Sequence, residues 1–79
     1  MVYCSYEKND KQSVTYLFGA YASDITGEIR FSFLDDKIDV IEEPQKEMAP
    51  KRHIERLYRR EKKNFLSGVF KKKIAYETA

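Results

Sequence analysis

Seventy-nine residues set a ceiling of one domain, residues 1–79, and a chain this short buries only roughly 60–65% of the surface its unfolded form exposes. A hydrophobic share of 42%, with six Tyr and five Phe, suffices for one core layer and excludes wholesale disorder, while the single cysteine, Cys4, excludes an internal disulfide framework. The net charge of +2 conceals a division: residues 1–45 carry four cations and nine anions, net −5, and residues 46–73 carry eleven cations and three anions, net +8.

That division points to nucleic acid or an acidic protein surface as a partner, or else the two halves neutralise each other in the fold. The opening MVYCSYEKND has no continuous apolar segment of the kind a secretory signal needs, and no run approaches the ~18 apolar residues of a membrane span. The expectation is a cytoplasmic protein with no membrane partner. Lacking disulfides, so small a chain has homodimerisation as its remaining common source of added stability.

In chain order, Val2, Cys4 and Tyr6 alternate with Tyr3 and Ser5 as in a short strand, followed by a polar connection with turn chemistry at Asn9 and Asp10. Val14, Tyr16, Phe18, Ala20 and Ala22 then recur at every second position, the period of a strand over 14–22. A four-residue turn, Asp24-Ile25-Thr26-Gly27, closes a hairpin in which Ala22 meets Ile29, Ala20 meets Phe31 and Phe18 meets Phe33, with Gly27 supplying a positive φ. A second hairpin closed by Asp35-Asp36 sets Phe33 against Ile38 and Phe31 against Val40. One face of the sheet is then apolar throughout, because a slip of one residue would turn each set to water. The other face mixes Leu17, Tyr21, Leu34 and Ile41 with Thr15, Arg30, Ser32 and Asp39, and Tyr21 and Arg30 fall beside each other on it.

Residues 42–49 read as a connector. At ~100° per residue, residues 50–63 separate their surfaces cleanly: Ile54, Leu57, Tyr58 and Phe65 fill one arc, and Arg52, Arg56, Arg59 and Lys63 form a ridge opposite. Pro50 suits the first helical position, Ala49 is a poor N-cap, and Gly68 is placed to end the helix. Residues 69–76 alternate again and read as a last strand at the sheet's edge in preference to a second helix.

The chemistry follows from these placements. The arginine ridge, with Lys51 in the first turn and Lys71, Lys72 and Lys73 beyond the helix, suits a phosphate-bearing partner; the competing reading is a solvated helix face and a lysine-guarded edge strand. Phe31 and Phe33 resemble stacking platforms only in spacing, and core packing is their expected role. Glu61 falls within the apolar arc and must reach solvent or pair with a cation, Arg30 being one candidate. No histidine or cysteine accompanies His53 at ligand spacing, Asp35, Asp36 and Asp39 lack the spacing of a calcium loop, and the three glycines form no phosphate loop, so neither metal nor cofactor is expected. A pairing of Cys4 with His53 for catalysis has nothing to support it.

The expectation is an α+β fold: an antiparallel meander of three or four strands, one amphipathic helix packed on one face and a C-terminal edge strand. Its leading function is non-enzymatic binding of nucleic acid or another anionic partner through Lys51, Arg52, Arg56, Arg59, Lys63 and the Lys71, Lys72, Lys73 run. The rival is a protein-interaction module, or a homodimer, using Leu17, Tyr21, Arg30, Leu34 and Ile41 on the mixed face.

Overall fold

The computed structural model describes residues 1–77. Five strands, β1 (Val2–Asn9), β2 (Val14–Gly19), β3 (Gly27–Ser32), β4 (Lys37–Glu42) and β5 (Lys73–Tyr76), form one open antiparallel sheet, and one helix, α1 (Lys51–Leu66), precedes the last strand. The order across the sheet is β4-β3-β2-β1-β5, so the meander of four strands is extended by the C-terminal strand at its far edge. The expected α+β architecture is therefore present. No helix among the described residues is long and apolar enough to cross a membrane.

Although Ala20 and Ala22, expected to continue β2, lie in the loop after it and Ala22 is exposed, the period-two residues within β1, β2 and β3 turn to one side. Val14, Tyr16 and Phe18 of β2 and Ile29 and Phe31 of β3 are buried there, with Val2 and Cys4 of β1 and Ile74 of β5. Helix α1 closes that side with Ile54, Leu57, Tyr58 and Phe65. Phe31 packs against the rings of Tyr58, at 5.6 Å, and Phe65, at 5.9 Å, which also touch each other. Phe31 and Phe33 are thus core residues, each ring adding roughly 1.5–3 kcal/mol by leaving water, and neither is open to a base.

Both predicted hairpin registers are displaced by an even number of residues. Phe31 meets Val14 rather than Ala20, an offset of six, and Ile38 rather than Val40, an offset of two. An even offset keeps each side chain on its predicted face. The cause lies in the loops. Strand β2 stops at Gly19, and the Asp24 carboxylate, only 3% exposed, organises the following loop by accepting hydrogen bonds from Thr26 Oγ1 at 2.8 Å and the Lys46 amide at 2.9 Å. Gly27 needs no positive φ; a Cβ there would stand 2.8 Å from the Glu42 carbonyl oxygen, the Phe18 ring and Pro44. The second turn widens to residues 33–36, with Asp36 in the left-handed region at φ 55°. The first turn behaves as its sequence implies, because Asp10 Oδ1 accepts the amides of Gln12 and Ser13, each at 2.7 Å.

Pro50 is the N-cap rather than the first helical residue: its ψ of 133° is extended, and its carbonyl accepts the His53 and Ile54 amides. A proline has no side-chain acceptor, so the first-turn N–H groups have no side-chain cap. At the other end Gly68, at φ 78°, lets the Val69 amide reach the Asn64 carbonyl and its own amide reach Phe65, which closes the helix as predicted.

Candidate functional site

Because Ile54, Leu57, Tyr58 and Phe65 bind the inner arc of α1 to the sheet, the positions half a turn away must face solvent. Arg52, Arg56, Arg59 and Lys63 occupy them and all are exposed. None of the four is in an ion pair among the described residues; Arg56 makes one hydrogen bond, to the Tyr76 hydroxyl at 3.2 Å. Lys51, at the uncapped end, is likewise exposed and unpaired among the described residues.

The cations on the flanks of the helix are used differently. Toward β5, the Arg60 guanidinium donates to the Ala75 carbonyl and lies 3.3 Å from Glu61. Toward β4, Lys62 Nζ lies 2.6 Å from Asp36, which also accepts the Tyr58 hydroxyl at 2.7 Å. Lys62 first, then Tyr58, holds the Asp36 carboxyl below the usual aspartate range. Glu61, 3% exposed, does pair with cations, but with Arg60 and with Lys71 at 3.9 Å, and it also accepts from Asn64 at 3.1 Å. Arg30 is not its partner. The displaced register puts Arg30 between Thr15 and Asp39, 3.8 Å from the Asp39 carboxylate, and moves Tyr21 away into the β2–β3 loop, where its hydroxyl donates to Glu47. The predicted adjacency of Tyr21 and Arg30 is therefore replaced by these two separate contacts.

The lysine run is split. Lys71 is held by Glu61 beside the helix, Lys72 is exposed, and Lys73 stands opposite Ser5, one residue from the buried Ile74, on the sheet face turned away from α1. The four apolar residues of the rival site are also dispersed. Leu17 lies in mid-strand on the uncovered face, Tyr21 in a loop, and Leu34 and Ile41 at opposite ends of the β3–β4 hairpin; all four are exposed.

With the geometry of the ridge in view, comparison with known proteins adds no precedent. No protein-family model, curated protein or solved structure matches the chain.

The other reactive groups are accounted for by packing. Cys4 is buried and its thiol is pushed up to about 12 by that burial, so it supplies no thiolate at neutral pH. His53 lies on the β5 flank with its ring 5.4 Å from Tyr76; desolvation first, then the neighbouring Met1 amine, Arg56 and Arg52, lower its pKa, so it adds no charge to the ridge at neutral pH. Among the described residues no three His, Cys, Asp or Glu side chains are grouped to hold a metal ion.

One feature went unread in the sequence. The uncovered edge of β4 borders a groove of about 380 Å³ against α1, lined by Ile38, Val40, Met48, Ala49 and Ile54 with Asp36, Lys51 and Glu55 among them. The available signal was the position of β4 as the last strand of the meander, which leaves one of its sides without a neighbour.

Proposed function

We propose that this chain is a small non-enzymatic binding module that holds nucleic acid by its phosphates against the outer ridge of α1, in the cytoplasm. The carrying observation is that Arg52, Arg56, Arg59 and Lys63 stand exposed in one arc with no ion pair among the described residues, in a chain with nine anions in residues 1–45. Like charges at these spacings cost an isolated helix about 0.2–0.5 kcal/mol per pair, and a row of phosphates offsets that cost. At 1.5 Å per residue the ridge is roughly 16 Å long, about five base-pair steps of duplex. Lys51 and the uncapped N–H groups of the first turn favour an anion at one end of it, and Lys71, Lys72 and Lys73 act as long-range positive charge. Such contacts position a backbone without reading bases, so binding is sequence-independent.

Fluorescence anisotropy with a generic duplex tests the proposal. Four phosphate contacts give a slope of log K against log salt of about −3 to −4, and Arg56→Glu with Arg59→Glu removes binding. Binding that ignores salt, or no binding at micromolar protein, assigns the ridge to solvent or to a protein partner instead.

A further inference from the structure

The two edges of the sheet are finished differently. Along β5, four residues long, the Arg60 guanidinium covers the Ala75 carbonyl and Arg56 reaches the Tyr76 hydroxyl, so the flank of α1 seals that edge. Along β4, six residues long, no element among the described residues lies outside the strand. Such an edge is a template for another strand unless something blunts it. The two sides of β4 also have opposite chemistry. On the α1 side Ile38 and Val40 floor the groove of about 380 Å³, and Val40 is 40% exposed. On the uncovered side Glu42 stands opposite Glu28, whose nearby carboxyl raises the pKa of Glu7, and none of the three is in an ion pair among the described residues. Like charges placed directly across a sheet are destabilising.

We propose that the β4 edge takes a strand from another protein, an extended segment in which apolar and basic residues alternate. The period of two sends its apolar side chains into the groove beside Ile38, Val40 and Ile54, and its lysines or arginines to the carboxylates of Glu28 and Glu42. Backbone pairing runs over residues 37–40, because the register shift that skips Ile41 ends regular pairing there. A second copy of this chain is the poorer occupant: its β4 offers these carboxylates one cation, Lys37, where an alternating basic segment offers several, and its β5 is sealed. Nucleic acid is repelled by the same acidic row. The site shares only Lys51, at one end of its groove, with the cations assigned to nucleic acid.

The test is a titration of the isotope-labelled protein with an acetylated, amidated peptide alternating lysine and valine, Lys-Val-Lys-Val-Lys-Val-Lys. Amide shifts are expected at residues 37–40 and in the facing part of α1. Val40→Lys, at a half-exposed position that the fold tolerates, weakens binding about tenfold or more, and Glu42→Lys weakens it several-fold and reduces its salt dependence. Arg52→Gln with Lys63→Gln, which weakens duplex binding and touches neither edge of the sheet, leaves the peptide affinity unchanged, so failure of the nucleic-acid reading and failure of this one are separable. The proposal is overturned if the peptide does not bind, if an alternating glutamate and valine peptide binds as well, or if Val40→Lys has no effect. It is also overturned if the shifts at β4 arise from concentration-dependent self-association of the protein alone, which assigns the edge to a second copy.

Discussion

The cations of α1 fall into two groups that differ in what they touch. Arg60 and Lys62, on the flanks, are held by Glu61, the Ala75 carbonyl and Asp36, and they tie the helix to both ends of the sheet order. Arg52, Arg56, Arg59 and Lys63, on the ridge, are exposed and outside every ion pair among the described residues. The division of charge along the sequence is consequently not resolved by mutual neutralisation. Of the ion pairs among the described residues, only that of Lys62 with Asp36 joins the basic stretch to the acidic one. Charge beside the sheet serves the fold, and of the ridge cations only Arg56 reaches the sheet, through the Tyr76 hydroxyl.

Reversing the ridge, and separately removing the carboxylate that holds the flank, gives the sharpest break. Arg56→Glu with Arg59→Glu is expected to cost at least about 100-fold in duplex affinity while the urea midpoint stays near that of the parent, since exposed charges contribute about 0–1 kcal/mol to stability. A large loss of stability in that variant would mean that the ridge belongs to the fold. Glu61→Ala is the converse. It strips a buried carboxylate from Arg60, Lys71 and Asn64 and is expected to lower unfolding free energy by about 1–3 kcal/mol in urea titration, with duplex affinity unchanged. The lower part of that range applies because Arg60 and Lys71 are half exposed, at 51% and 55%, and regain water.

Asp36→Asn probes the same division through pH. The Asp36 carboxyl is lowered by Lys62 and Tyr58 in the folded chain, so its stabilisation is fully present above the unfolded value of about 3.9 and is lost as pH falls through the lower folded value. The variant is expected to be less stable than the parent at pH 7, with the difference vanishing in acid. Thermal melts at stepped pH read it, and a difference that persists unchanged below pH 3 would contradict the linkage. Asp10 and Asp24 are also lowered, so both proteins still unfold in acid, and the pH dependence of the difference is the quantity to follow.

The helix and the faces of the strands were legible because they depend on period alone: Phe65 and Arg59 are told apart by angle, Phe31 and Arg30 by parity. Registers were not legible, because they depend on contacts between distant segments. Nothing local to Asp24 announces that the Lys46 amide will bind it, and that loop displaced the first hairpin by six residues. Glu61 was read as reaching solvent or pairing with a cation; it pairs, with partners set by where β5 passes the helix. The same limit applies to Lys73, whose parity on β5 sends it away from the ridge although Lys71, two residues earlier, reaches the helix.

The finest test of the comparison is a single ridge cation. Lys63→Gln removes one positive charge near the C-terminal end of α1, where no ion pair among the described residues holds it. If Lys63 meets a phosphate, the slope of log K against log salt becomes shallower by about 0.9 and affinity falls alike for every duplex sequence. Lys62→Gln, one residue earlier but bound to Asp36, is expected to leave the slope nearly unchanged and to lower stability instead. Equal slopes for the two variants would mean that a held cation and a free one contribute alike, and the distinction drawn between flank and ridge would fail at its smallest scale.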